Sequence, residues 1–423
     1  MNVELLDVVL FTTYFLLLFL AIFWLLVLFS KKSQDALKKK LVHRPSFTTI
    51  VPAYNEEANI VGTLKSLIDL DYPNEKKEII VVNDGSTDHT KAKVIAFIQQ
   101  YPQHNIKLIN QKNQGKGRAM NVGLQQATGE FFACLDADSF VHPDALKEML
   151  PYFTANQNVA AVCPLLKVKK PTNILQKVQW CEYTINMFYK YLNARLDCIH
   201  VTPGPFSVYR TKIVRDLGGY DETTITEDLE IAIRLQKHQY KIVQTFDAIV
   251  ETVSPANWKD LFRQRVRWYK GSVDNTITYK KLMFNKKYGD FGFMRMPTII
   301  LSGIIAIVLT ATLLQNLAGK FFHWLASLQA INFDLITLIK NFSFNFNFLS
   351  LPFAKLFIGL TLIFISFFVM IKSYQVIKER ITNHGRTFIS LFTYLFIYGL
   401  FLTTVWTYIA FLFITKRRNT WGK

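Results

Sequence analysis

Five short segments carry residue types that can do chemistry together. Asp136 and Asp138 stand one residue apart in Leu135-Asp136-Ala137-Asp138, after an apolar run. Two carboxylates so spaced on a loop can hold a hard divalent cation through oxygen ligands. The same pair also suits a turn or helix cap, because Asp138-Ser139 precedes a helix-like region. Asp84 follows the apolar run Ile79–Val82 and precedes Gly85-Ser86, where a ligand contact and a simple turn are both possible. Lys116 and Arg118 lie in Gly115-Lys116-Gly117-Arg118, and a flexible backbone with two cations suits a phosphate as well as a solvated basic turn. Asp228, in Thr226-Glu227-Asp228, opens a helix-like stretch. There a carboxylate can take a proton from a hydroxyl, and it also favours the helix dipole. Gln264, Arg267 and Trp268 share one face if their segment is helical. That face offers a guanidinium for an anion and a ring for stacking, or an anchored interfacial helix.

The elements that must position these groups follow from the pattern around them. From about Phe47 short apolar runs alternate with helical stretches. Strands are expected at Thr48–Val51, Glu78–Val82, Ile106–Ile109 and Phe131–Leu135, and helices near 57–70, 88–100, 116–127 and 143–154. Such βαβα alternation predicts an α/β domain with a mainly parallel sheet covered on both faces. In open sheets of this kind ligands sit beyond the carboxyl ends of the strands, where Tyr54, Glu56, Asp84, Asp136 and Asp138 fall. Residues 172–200 read as an aromatic-rich helix. Residues 255–285 read as an amphipathic helix lying against a membrane.

Half of the 423 residues are hydrophobic, with 36 Phe, and the apolar residues are segregated. Val8–Phe29 is uncharged and long enough to cross a hydrocarbon core of about 30 Å. Its length, the acidic residues before it and the lack of a small-residue cleavage site argue against a cleaved signal peptide. Further runs at Met296–Gly319, Leu356–Ile371 and Thr387–Thr415 predict three C-terminal spans, and a fourth at about 321–340 is an alternative. The basic stretch from Lys31 to Arg44 places the large domain in the cytoplasm by the positive-inside rule. The two C-terminal counts put the tail Lys416-Arg417-Arg418 on opposite sides, and charge alone leaves that open. Alternating Phe342, Phe344, Phe346 and Phe348 suggest a loop or extended stretch. Much of the net charge of +18 lies beside the spans, where anionic lipid attracts it, and no nucleic-acid-binding motif accompanies it. Cys134, Cys163, Cys181 and Cys198 have no metal-ligand spacing and read as packed thiols.

Taken in order, Val51–Glu57, Val82–Ser86, Asn113–Arg118, Leu135–Asp138, Thr202–Phe206, Thr226–Asp228 and Gln264–Trp268 resemble the motifs of the inverting glycosyltransferases of family 2. The resemblance is to the membrane-bound processive branch, which includes cellulose, hyaluronan and poly-N-acetylglucosamine synthases. It covers roughly residues 45–285 by motif and the rest by hydropathy.

The resemblance implies a nucleotide-sugar-binding, Rossmann-like domain of the GT-A type inserted between transmembrane helices. It implies that Tyr54, Glu56, Asp84, Lys116, Arg118, Asp136 and Arg267 bind the donor. Asp136 and Asp138 would hold Mg2+ or Mn2+, and Asp228 would be the general base. Gly204, Pro205, Phe206, Glu227, Gln264 and Trp268 would meet the acceptor. Pro203 and Pro205 flank Gly204 where these synthases commonly show a Ser-Gly or Gly-Ser step, which leaves the acceptor open.

The expected enzyme is a multi-pass plasma-membrane protein that moves a hexose from a UDP-sugar, UDP-GlcNAc or UDP-glucose, with inversion to a growing β-linked polysaccharide. Translocation of the product and accessory export subunits fit the same reading. The alternative is transfer of one sugar to a polyprenyl-phosphate lipid. The expected division is an N-terminal span at 1–30, the transferase domain at 31–254, interfacial helices at 255–293, the C-terminal spans at 294–415 and a basic tail at 416–423.

Overall fold

The computed structural model describes residues 5–30, 43–330, 332–334, 336, 340, 353–383 and 387–415. The Phe342–Phe348 stretch, the basic residues 31–40 and the tail Lys416-Arg417-Arg418 lie outside them.

The four expected strands form. They are β1 (Phe47–Ala53), β2 (Lys77–Asp84), β3 (Ile106–Gln111) and β4 (Phe131–Cys134), followed by β5 (Ser139–Val141), β6 (Val159–Val168), β7 (Val208–Arg210) and β8 (Lys241–Thr252). The sheet order is β3-β2-β1-β4-β7-β6-β8-β5. The first half, β3-β2-β1-β4, is parallel as expected. The second half is mixed, because β7 runs antiparallel to both β4 and β6, and β5 antiparallel to β8.

Successive side chains of β2 feed opposite cores. Ile79 and Val81 enter one and Ile80 and Val82 the other, so both faces are covered by helices. Helices α2 (Ile60–Ile68), α3 (Thr90–Gln100) and α4 (Lys116–Gln126) match expectation. The helix expected at 143–154 is two pieces, α5 (Ala145–Met149) and α6 (Pro151–Ala155). Pro151 lacks an N–H and is accommodated only in a first turn, so it restarts the helix there.

Beyond the sheet come α7 (Ile174–Arg195), α8 (Thr211–Asp216), α9 (Glu227–Lys237) and α10 (Trp258–Thr278). The long pair, α7 and α10, are capped alike. Asn173 accepts the Gln176 N–H at 2.8 Å and Asn257 accepts the Asp260 N–H at 2.9 Å.

Among the described residues, four helices are long and apolar enough to cross a membrane, at Val8–Phe29, Phe291–Ala330, Phe353–Val376 and Ile389–Ile414. We label the first α1 (Leu5–Phe29), and the others α11 (Met296–Ala330), α12 (Phe353–Val376) and α13 (Thr387–Phe392) continuing through a π-helical turn (Thr393–Tyr398) into α14 (Gly399–Ile414). Residues 321–330, the start of the alternative fourth span, continue α11 without a break.

The domain grips these helices through named contacts. Arg195 at the end of α7 donates to the carbonyls of Val27, Leu28 and Ser30, capping α1. Lys167 of β6 pairs with Glu379 just past α12 at 2.6 Å. The apolar face of α10 meets α14, with Trp258 against Phe401 at 5.1 Å and Tyr269 stacked on Trp406 at 5.0 Å. All four cysteines are buried free thiols.

Candidate active site

The motif residues gather at the carboxyl ends of β1, β2 and β4. Asp84, the last residue of β2, is buried and fully engaged. It accepts the Gln114 N–H (2.9 Å), the Gln111 side-chain amide (2.7 Å) and the Gly115 N–H (3.0 Å). It thereby holds the loop that leads into α4. Gly115 precedes that helix with φ +91°, a conformation side chains resist, and Lys116 is its first residue.

The turn brings Lys116 to the centre of the site. Its Nζ lies 2.6 Å from Asp136 Oδ1 and 3.0 Å from Glu227 Oε1. Burial alone would lower the lysine pKa. Asp136, Glu227 and Asp228 instead hold it well above the ordinary value. Gly204 closes one side. A Cβ there would stand 3.2 Å from Lys116 Nζ and 3.3 Å from Asp136 Oδ2.

The acidic side of this cluster is crowded. Burial, then the charges of Asp136 and Glu56, push Asp138 up to about 6. Glu56 is raised by burial and then by Asp136 and Asp88. Carboxylates that raise one another in this way are suited to a cation. Among the described residues no three His, Cys, Asp or Glu side chains form a cage for an ion. Asp136 and Asp138 thus fit a cation that takes one or two carboxylates and completes its shell with phosphate oxygens and water, the habit of Mg2+.

Asp228, near the start of α9, is raised to about 6 by burial and then by Glu227, against the opposing pull of Lys116 and Arg267. Its backbone carbonyl accepts from the Thr202 hydroxyl at 2.8 Å, which ties Asp228 to the 202–206 loop. Helix α10 closes on the same segment, with Asn275 donating to Thr226 Oγ1 at 3.0 Å.

Other expected residues are placed differently. The structure does not bring the ring of Phe206 to the site. It is fully buried against Phe47 at 5.8 Å, with φ +60° and its N–H on the Cys134 carbonyl, so it anchors the loop. Pro205 is buried beside it. Arg118 is engaged by Glu222 at 3.1 Å. Tyr54 is 48% exposed at the end of β1. Gln264 accepts from its neighbour Arg265, and Arg267 is exposed. Trp268 is half-buried beneath the Arg265 guanidinium, 4.3 Å from its ring centre.

Residues 48–218 match the family described as Glycosyl transferase family 2. A poly-beta-1,6-N-acetyl-D-glucosamine synthase of Staphylococcus epidermidis is 29% identical over 301 residues, 69% of this chain and 72% of the relative. One of Staphylococcus aureus is 31% identical over 262 residues, 60% and 63% of the two chains. Among solved structures, the mannosyltransferase PcManGT of Pyrobaculum calidifontis, in complex with GDP-Man and Mn2+, shares the fold. Its TM-score is 0.57 at 22% identity, covering 77% of this chain and 90% of that one. A GT-A-like domain flanked by apolar helices defines a membrane glycosyltransferase. Residues 48–218 form a glycosyltransferase family 2 domain, and the chain is a glycosyltransferase similar in sequence to polysaccharide synthases.

Proposed function

We propose that the enzyme transfers N-acetylglucosamine from UDP-N-acetylglucosamine to a hydroxyl of a growing β-linked polysaccharide, at the cytoplasmic face of the cell membrane. The observation that carries this reading is the charge network in which Lys116 touches both Asp136 and Glu227 beside Asp228. It joins the residues suited to a diphosphate to a carboxylate suited to a base. The named activity of the staphylococcal relatives supports the sugar and the polymer, and the Mn2+ in PcManGT supports a divalent ion.

In this reading Asp136 and Asp138 hold the cation, which when bound acts as a Lewis acid on the departing diphosphate. Lys116 would pair with phosphate oxygen, and Arg267 would add a second positive charge. Glu56 and Tyr54 line the nucleotide side. Asp84 contributes by fixing the Lys116 turn. The acceptor hydroxyl oxygen attacks C1 of the sugar, the C1–O bond to the diphosphate breaks, and its electron pair leaves on UDP. The hydroxyl proton goes to Asp228. One displacement turns the α-linked donor into a β-linked product. Gly204 gives the acceptor room beside Lys116, and Trp268 offers it a stacking face.

Asp228→Asn tests the base. Turnover of UDP-N-acetylglucosamine is expected to fall by about 10²- to 10⁴-fold with UDP affinity retained. Near-normal turnover in this variant would remove Asp228 from the mechanism.

A further inference from the structure

Arg265 lies inside the Gln264–Trp268 segment, and its side chain is wholly buried. It forms an ion pair with Glu182 of α7, itself nearly inaccessible. Its Nε also donates to Glu182 Oε1 at 3.2 Å and to Tyr398 Oη at 3.2 Å. Tyr398 closes the triangle by donating to Glu182 Oε2 at 2.8 Å. An arginine is seldom fully buried, and a buried pair strongly resists the loss of one partner. A π-helical turn, Thr393–Tyr398, delivers Tyr398 to this point, and such turns recur at functional sites.

Three elements meet in the triangle. They are the domain helix α7, the helix α10 that carries Trp268, and the last apolar helix. The guanidinium of Arg265 sits over the Trp268 ring, and Tyr183 of α7 flanks that ring at 6.4 Å. Trp268 is thus held by a cation that is itself held by Glu182 and by a membrane-helix tyrosine. We infer that Tyr398, Glu182 and Arg265 are positioning residues that fix the Trp268 face toward the acceptor and couple it to the last apolar helix. This rests on the reading that the acceptor polysaccharide stacks on Trp268. The consequence is a division of labour. The donor cluster around Asp136 and Asp228 sets whether the sugar is activated. The triangle sets whether the product stays in register for the next transfer.

Tyr398→Phe removes one hydroxyl and keeps the ring in its apolar surroundings of Leu175, Val178 and Leu261. Loss of a hydrogen bond to a charged group is expected to shorten the mean product, or to raise donor hydrolysis relative to transfer, by about tenfold. The KM for UDP-N-acetylglucosamine is expected to stay within about twofold. Hydrogen exchange on the substrate-free protein gives a second readout. Amides of residues 264–269 are expected to exchange faster in the variant, and those of residues 111–118 at the wild-type rate. Unchanged product length and unchanged exchange at 264–269 would overturn the inference. Equal losses of polymer and hydrolysis, with faster exchange throughout the domain, would overturn it in favour of a general structural role. If the wild type makes no polymer while local exchange still responds, the coupling stands and the acceptor reading falls.

Discussion

Asp228 works against its own ionisation. Burial and Glu227 raise it to about 6, so below that pH it holds the proton it would have to accept. Transfer is therefore expected to rise with pH through an acid limb near 6, falling about tenfold per unit below it. Lys116 and Arg267 both oppose the shift. Glu227→Gln removes the neighbouring like charge and is expected to move the limb to lower pH in a kcat/KM profile. An unchanged or upward-shifted limb would contradict the proposed pairing of roles. The types and spacing of Asp136, Asp138, Lys116 and Asp228 were legible in the sequence because each sits in a short motif after a predicted strand or before a helix. What no motif encodes is engagement by distant partners. Arg118 is occupied by Glu222, more than a hundred residues away, and Phe206 turns into the core because its loop takes φ +60°. Glu182 and Arg265 were invisible for the same reason, since a charged residue in an amphipathic helix reads as solvated until its partner is seen.

Helix α10 meets the 226–228 segment through a glycine. A Cβ on Gly271 would fall 2.3 Å from Thr226 Oγ1 and 2.5 Å from its Cγ2, closer than atoms tolerate. Helix propensity alone predicts that Gly271→Ala stabilises by about 1 kcal/mol. The overlap predicts a loss of about 1–3 kcal/mol, and the rigid Thr226 contact makes the loss prevail. Gly271→Ala is expected to lower the thermal midpoint in detergent and to slow transfer. A raised midpoint with full activity would show that α10 and the 226–228 segment are not locked together. The elements themselves were largely readable. The first four strands and three of the four early helices fall where apolar periodicity put them, because each is fixed by local pattern. The antiparallel insertion of β7 was not readable. It is only three residues long, and its pairing with β4 and β6 is a long-range choice.

At the scale of the whole molecule, the domain and its apolar helices are joined by ion pairs, caps and aromatic contacts. Lys167–Glu379, the Arg195 cap on α1 and the α10–α14 face make the apolar helices part of the site's support. Span positions were visible in hydropathy. Their packing was not, because an apolar face does not say whether lipid or another helix covers it. The most direct test of the central claim is turnover of the purified protein in lipid nanodiscs with UDP-N-acetylglucosamine and Mg2+ or Mn2+, its product sized and digested with linkage-specific hydrolases. The account predicts a long β-linked polymer of N-acetylglucosamine that disappears in Asp228→Asn. A product one sugar long on a lipid acceptor, or no consumption of this donor, would contradict it.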